Sequence, residues 1–138
     1  MRMLPEPTTR ALTQPADMHR VGVKLFLAIC DDWDLNEKER ITLAGLRSRT
    51  TLQAWRHKLT AGESIRLSPD TLERLSLVAG IRKAVELLLP RDQWTAYIRR
   101  PNSDLGTQSA LDRMLAGRLI DLWDVRRYLD GQRGAHFA

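Results

Sequence analysis

Apolar positions recur at intervals of three and four along most of this chain, and the stretches between them carry glycine, proline or helix-capping residues. From Asp17 to about Cys30, Val21, Leu25, Ala28 and Ile29 follow a capping aspartate and predict a first helix with that face inward. Asn36 precedes Glu37 and Glu39, acids suited to a first helical turn, and Ile41, Leu43 and Ala44 complete a short second helix ending at Gly45. A third helix runs from Thr50 to Leu59 with Leu52, Trp55 and Leu59 on one face. Ser68-Pro69-Asp70 joins a capping serine, an N1 proline and a dipole-complementing aspartate, predicting a helix from Pro69 to about Val78. Gly80 reads as a break, and Ile81 to Leu89 as a fifth helix stopped by Pro90. Beyond it, Arg91 to about Arg99 carries Trp94 and Ile98 inward, and Arg100 to Asp104 breaks the chain. Ser109 to Ala116 and about Leu119 to Gln132 close the set, the last with Leu122, Val125, Tyr128 and Leu129 inward. No β-branched alternation is sustained, so the expected fold class is all-α.

Composition narrows the function classes. At 138 residues the chain holds one compact domain, or two small helical subdomains sharing a core. A 43% hydrophobic and 28% charged composition is that of a soluble globular protein, and no stretch approaches the roughly 20 apolar residues needed to span a bilayer. The single cysteine, Cys30, excludes an intrachain disulfide and a multi-cysteine zinc site, and the three scattered histidines argue against a metal centre. Glycines are not clustered into a phosphate loop, and no nucleophile-elbow pattern is present, so neither enzyme chemistry nor a cofactor is expected. Trp33, Trp55, Trp94 and Trp123 fall in different elements and read as core or interface anchors, and Cys30 as a small buried residue. Residues 1–16 contain Pro5, Pro7 and Pro15 and read as a flexible arm; with no apolar leader segment, cytoplasmic residence is expected.

Charge distribution changes the picture more than its sum of +5. Five acids stand against Lys38 between Asp31 and Glu39, whereas Arg47, Arg49, Arg56, Lys58 and Arg66 stand against Glu63 between Gly45 and Arg66. Two short helices meeting at a glycine, the second apolar inward and basic outward, match the helix-turn-helix geometry that lays a helix in the major groove. With Leu52, Trp55 and Leu59 inward, Thr50, Gln53 and His57 come near the opposite face and Arg56 and Lys58 lie at its flanks. The candidate DNA-binding set is therefore Arg47, Arg49, Thr50, Gln53, Arg56, His57 and Lys58. Gln53 suits bidentate pairing with adenine, and the arginines suit phosphates or guanine. Six residues after Gly45, where such motifs place an apolar residue, stands Thr51; Leu52 follows, as if the turn were one residue longer. A plain helical hairpin in a bundle remains the alternative.

The order of these pieces resembles antitoxins of the Xre/MbcA/ParS type, through ITLAGLRSRTTLQAWRHKL, LSPDTLERLSLVAGIRKAVELLLP, WTAYIRRPN, LGTQSALDRMLAG and VRRYLDGQRG, covering about residues 20–134. Relatives carry a glycine pair and a proline ahead of the leucine-rich helix, where this chain has Gly106-Thr107-Gln108-Ser109. The resemblance implies an Xre-like helix-turn-helix domain with linker helices over 17–90 and a toxin-binding domain with a C-terminal tail over 91–138. It also implies a cognate RES-type, NAD-consuming toxin as partner, whose active-site cleft the tail occludes. Carried over, the toxin-binding residues are Arg126, Arg127, Tyr128, Gln132, Arg133 and Gly134, with Gly131 and Gly134 letting the tail turn. Operator DNA is the second partner, bound by a homodimer, because one recognition helix reads too few base pairs; with toxin a higher-order complex is expected. A stand-alone regulator whose C-terminal half only dimerises, or a protein-binding helical adaptor, are the competing readings.

Overall fold

The computed structural model describes residues 15–137, and local capping signals account for several of its helix ends. Among the described residues seven α-helices follow one another: α1 (Pro15–Asp32), α2 (Glu37–Ala44), α3 (Arg49–Ala61), α4 (Pro69–Leu88), α5 (Trp94–Arg99), α6 (Ala110–Met114) and α7 (Leu119–Phe137). Single 3-10 turns precede α5 and α6, and among the described residues the only β-pairing is one bridge between Pro101 and Ser109. The all-α expectation holds. The expected arm falls outside the described residues apart from Pro15 and Ala16, which open α1.

At the start of α2, Asn36 accepts from the Glu39 amide at 2.8 Å and Glu39 accepts from the Asn36 amide at 2.9 Å, so two otherwise unpaired donors are satisfied reciprocally. Ser68 caps α4 by accepting from the Thr71 amide at 3.1 Å, with Pro69 at the first position. Ser109 and Asp112 repeat the reciprocal cap at α6.

Three boundaries or faces differ from the sequence reading. The fourth and fifth expected helices are one, because α4 continues through Gly80 to Leu88. A glycine inside a helix costs about 1 kcal/mol relative to alanine, but α7 packs along this part of α4, and the Arg126 guanidinium occupies the space beside Gly80. On α1 the inward residues are Val23, Phe26, Cys30 and, as expected, Ile29, with Trp33 buried just past the helix end, whereas Val21 and Leu25 are 51% and 45% exposed and Ala28 also faces out. The helix is apolar on two sides, and the large Phe26 and Trp33 choose the buried one. Finally, α7 runs through Gly131 and Gly134 to Phe137, so the chain does not turn after Gln132.

Helix α4 is the spine: α7 packs along it and α1 lies against it. One apolar cluster runs from Val23 through Trp55, Ile81 and Ile98 to Leu129. Polar clamps tie the later helices to the end of α1, where free carbonyls attract donors and cations. Asp32 binds Arg82 at 3.0 Å and Arg91 at 2.7 Å, and Arg82 lies 4.4 Å over the Trp94 ring. Thr95 donates to the Asp32 carbonyl at 2.9 Å, and Arg99 donates to the carbonyls of Trp33 and Asp34. Arg74 of α4 donates to Asp70 at 2.8 Å and to the Gly117 carbonyl at 2.9 Å, joining the first helices to the loop before α7.

Candidate functional site

Gly45, Leu46, Arg47 and Ser48 form the turn between α2 and α3. Gly45 adopts φ +68°, and a Cβ there would lie 2.6 Å from Arg74 Nε, so both backbone conformation and space require glycine. The Leu46 amide donates back to the Ile41 carbonyl at 3.0 Å. Four turn residues bring Leu52 into the core and leave Thr51 exposed, which resolves the offset in the sequence. Leu52 and Trp55 are the buried residues of α3, and Trp55 meets Phe26 of α1 edge-to-face at 6.4 Å.

Arg47, Arg49, Thr50, Gln53 and His57 are all exposed at the turn and along α3. Arg56 is turned aside: it donates to Glu37 of α2 at 2.8 and 3.2 Å. That hydrogen bond, assisted by the arginine charge, holds the Glu37 carboxyl below the ordinary carboxylate range. Lys58 is half-buried, and its carbonyl serves as an acceptor at the end of the helix. Of the seven candidates, five lie free along one exposed edge, while Arg56 braces α3 on α2.

Two basic residues outside the candidate set also bear on this surface. Arg20 of α1 donates to the carbonyls of Lys58 at 3.2 Å and Glu63 at 2.6 Å, placing a cation at the negative end of the α3 dipole and fixing that helix on α1. No local pattern marks it, because its partners lie about forty residues away. Arg66 belongs to the basic cluster in sequence; the fold places it with Arg47, Thr51 and Ser68 around a shallow cleft at the N-terminus of α4. Gln53 and the arginines on one open surface make an arrangement able to read base edges and neutralise phosphates.

The candidates on α7 do not share one patch. Arg126 lies against Gly80 and bonds Asp130 at 3.1 Å; with Arg133 and Gly134 they line a shallow depression. Arg127 sits 5.7 Å over the ring of Trp123, which is partly exposed beside exposed Ile120, so Trp33, Trp55 and Trp94 are core residues and Trp123 is not. Tyr128 is half-buried: its hydroxyl donates to Asp104 at 3.0 Å and accepts from the Asn102 amide at 3.2 Å. Gln132 is exposed.

Other reactive groups are accounted for by packing. Burial pushes the Cys30 thiol up to about 12, which leaves it protonated and unreactive at neutral pH. His19 accepts from the Leu67 amide at 3.0 Å and anchors the segment before α4. His136 lies where side chains are not described. Among the described residues no group of three potential ligands is placed to hold a metal, and no helix is long and apolar enough to cross a membrane.

Comparison with known proteins adds two findings. Residues 14–80 match the antitoxin Xre-like helix-turn-helix domain, which spans α1 to the first half of α4. A protein of Sinorhizobium fredii (strain NBRC 101917 / NGR234), named uncharacterized protein y4oB, is 40% identical over 128 residues, covering 91% of this chain and 95% of the relative.

Proposed function

The chain belongs with the proteins that carry the antitoxin Xre-like helix-turn-helix domain, and from that membership we propose that it is the antitoxin of a type II toxin-antitoxin pair. It neutralises a RES-type, NAD-consuming toxin by occluding the toxin's active site, and it represses its own operon as a dimer. The observation that carries the reading is the open edge of Arg47, Arg49, Thr50, Gln53 and His57 on a helix whose other side is buried within the matched domain. Residues 91–138 serve as the toxin-binding domain.

Support for the toxin half comes from chemistry. NAD sites hold ribose hydroxyls with carboxylates, and Arg126, Arg127 and Arg133 offer guanidinium groups that pair with such carboxylates. Because α7 stays helical to Phe137, the tail reaches a cleft as a helix end rather than an extended strand. Gly131 and Gly134 leave open space on that helix, allowing close approach of a partner backbone.

The test is co-expression of the whole chain, and of a chain ended after Gly131, with the protein encoded beside it, following growth and NAD level. Restoration by the whole chain alone supports antitoxin action through the helix end. A harmless neighbour with unchanged NAD leaves a helix-turn-helix regulator.

A further inference from the structure

Beside α3 the chain forms a shallow cleft of about 280 Å³. The turn and α3 supply Arg47, Thr51 and Trp55 to its lining, and the segment entering α4 supplies Arg66, Ser68 and Thr71. No acidic residue lines it. Most arginines among the described residues pair with a carboxylate, but neither Arg47 nor Arg66 has such a partner there, and both are exposed. Two guanidinium groups at one cleft without a carboxylate repel each other, and an anion between them relieves that repulsion. The start of α4 is not itself the attraction, because Ser68 caps it by accepting from the Thr71 amide and Asp70 occupies its first turn.

Both arginines rise from fixed backbone. Ile65 is buried and the Leu67 amide donates to His19 at 3.0 Å, so Arg66 is anchored on either side. The Leu46 amide, bonded to the Ile41 carbonyl, sets the backbone ahead of Arg47. Little backbone freedom is therefore lost when a ligand enters.

We propose that this cleft is a phosphate seat, in which Arg47 and Arg66 together grip one phosphate of the DNA backbone and the Thr51 hydroxyl donates to it. The proposal rests on the DNA-binding reading above. Because the cleft is shallow, a phosphate in it keeps one side open, where the sugar-phosphate chain runs on; a free phosphate keeps that side in water and is held weakly. At about 100° per residue, Thr51 and Arg56 lie on opposite flanks of the Leu52-Trp55 stripe. Arg56 braces one flank on Glu37 of α2, and the seat fixes the other against the duplex. It sets the roll of α3 in the groove, and so the aim of Arg49 and Gln53, without reading sequence itself.

Fluorescence anisotropy with two labelled duplexes, one taken from the DNA upstream of this gene and one of unrelated sequence, tests the seat over a salt series. Arg66→Ala should weaken both duplexes by the same factor, roughly tenfold, whereas Gln53→Ala should erase the preference for the upstream duplex. The double exchange of Arg47 and Arg66 to alanine should flatten the slope of log affinity against log salt by about 0.9 per protomer bound, the value for one phosphate. A flattening of about 1.8 means two separate phosphates and overturns the shared seat. An unchanged slope and affinity in the double variant overturn it as well, and leave the DNA-binding reading standing if the wild type binds. A wild type that binds neither duplex sinks that reading and the seat together. Calorimetric titration with inorganic phosphate at constant ionic strength separates the sources: saturation in the micromolar range, lost in Arg66→Ala, would make a free anion the occupant and overturn the DNA assignment, while millimolar or weaker binding supports it.

Discussion

Single residues in this chain are held by backbone conformation as often as by side-chain chemistry. Thr107 adopts φ +72°, directly after Gly106 at the same φ. A β-branched residue is strained there. Thr107→Gly should therefore stabilise the fold by about 1 kcal/mol, read as a higher urea midpoint with unchanged slope. Gly45→Ala should do the reverse, costing about 2 kcal/mol because left-handed backbone and the Arg74 contact oppose it together. Asp121, buried at the start of α7, accepts from the Arg118 amide and guanidinium, and that hydrogen bonding holds its carboxyl below the usual range. A depressed carboxylate stabilises the fold above its unfolded value, about 3.9, and loses that effect as pH falls through the folded one. Asp121→Asn should thus lower stability by about 1 kcal/mol at pH 7, and the gap to wild type should narrow in unfolding curves as the pH is taken below the unfolded value.

At the scale of elements, α3 is a braced beam with one open edge. Arg49 and Gln53 stand free on α3, whereas Arg56 is occupied by Glu37. Each phosphate neutralised contributes about −0.9 to the slope of log affinity against log salt. Arg49→Ala should flatten that slope by about one unit. Glu37→Gln should release Arg56 and steepen it by about one, with little change in stability since the pair is half-exposed. A filter-binding salt series on the two variants decides between these directions. The place of this helix and its buried face were legible from Gly45 and the Leu52-Trp55-Leu59 stripe. The role of Arg56 was not, because spacing places a side chain on a face but does not reveal a partner nineteen residues away.

Over the whole molecule, the two halves join through α4 and the clamps at Asp32, Arg74 and Arg99 rather than through a loose linker. The sequence by itself determined the all-α class, the N-terminal caps at Asn36, Ser68 and Ser109, and the place of the turn at Gly45, because each depends on residues within a turn or two of one another. Periodicity also found most inward residues of α3 and α7. On α1 it placed Ile29 inward correctly but also Val21, Leu25 and Ala28, which face out, because two apolar stripes compete there and only packing of Phe26 against its neighbours selects one. It broke α4 at Gly80 because glycine is a local helix breaker, while the packing of α7 that carries α4 through lies across the fold. Tertiary structure alone decided which arginines are free to meet a ligand and which are spent on carbonyls and carboxylates, since that depends on distances between elements that no local pattern encodes.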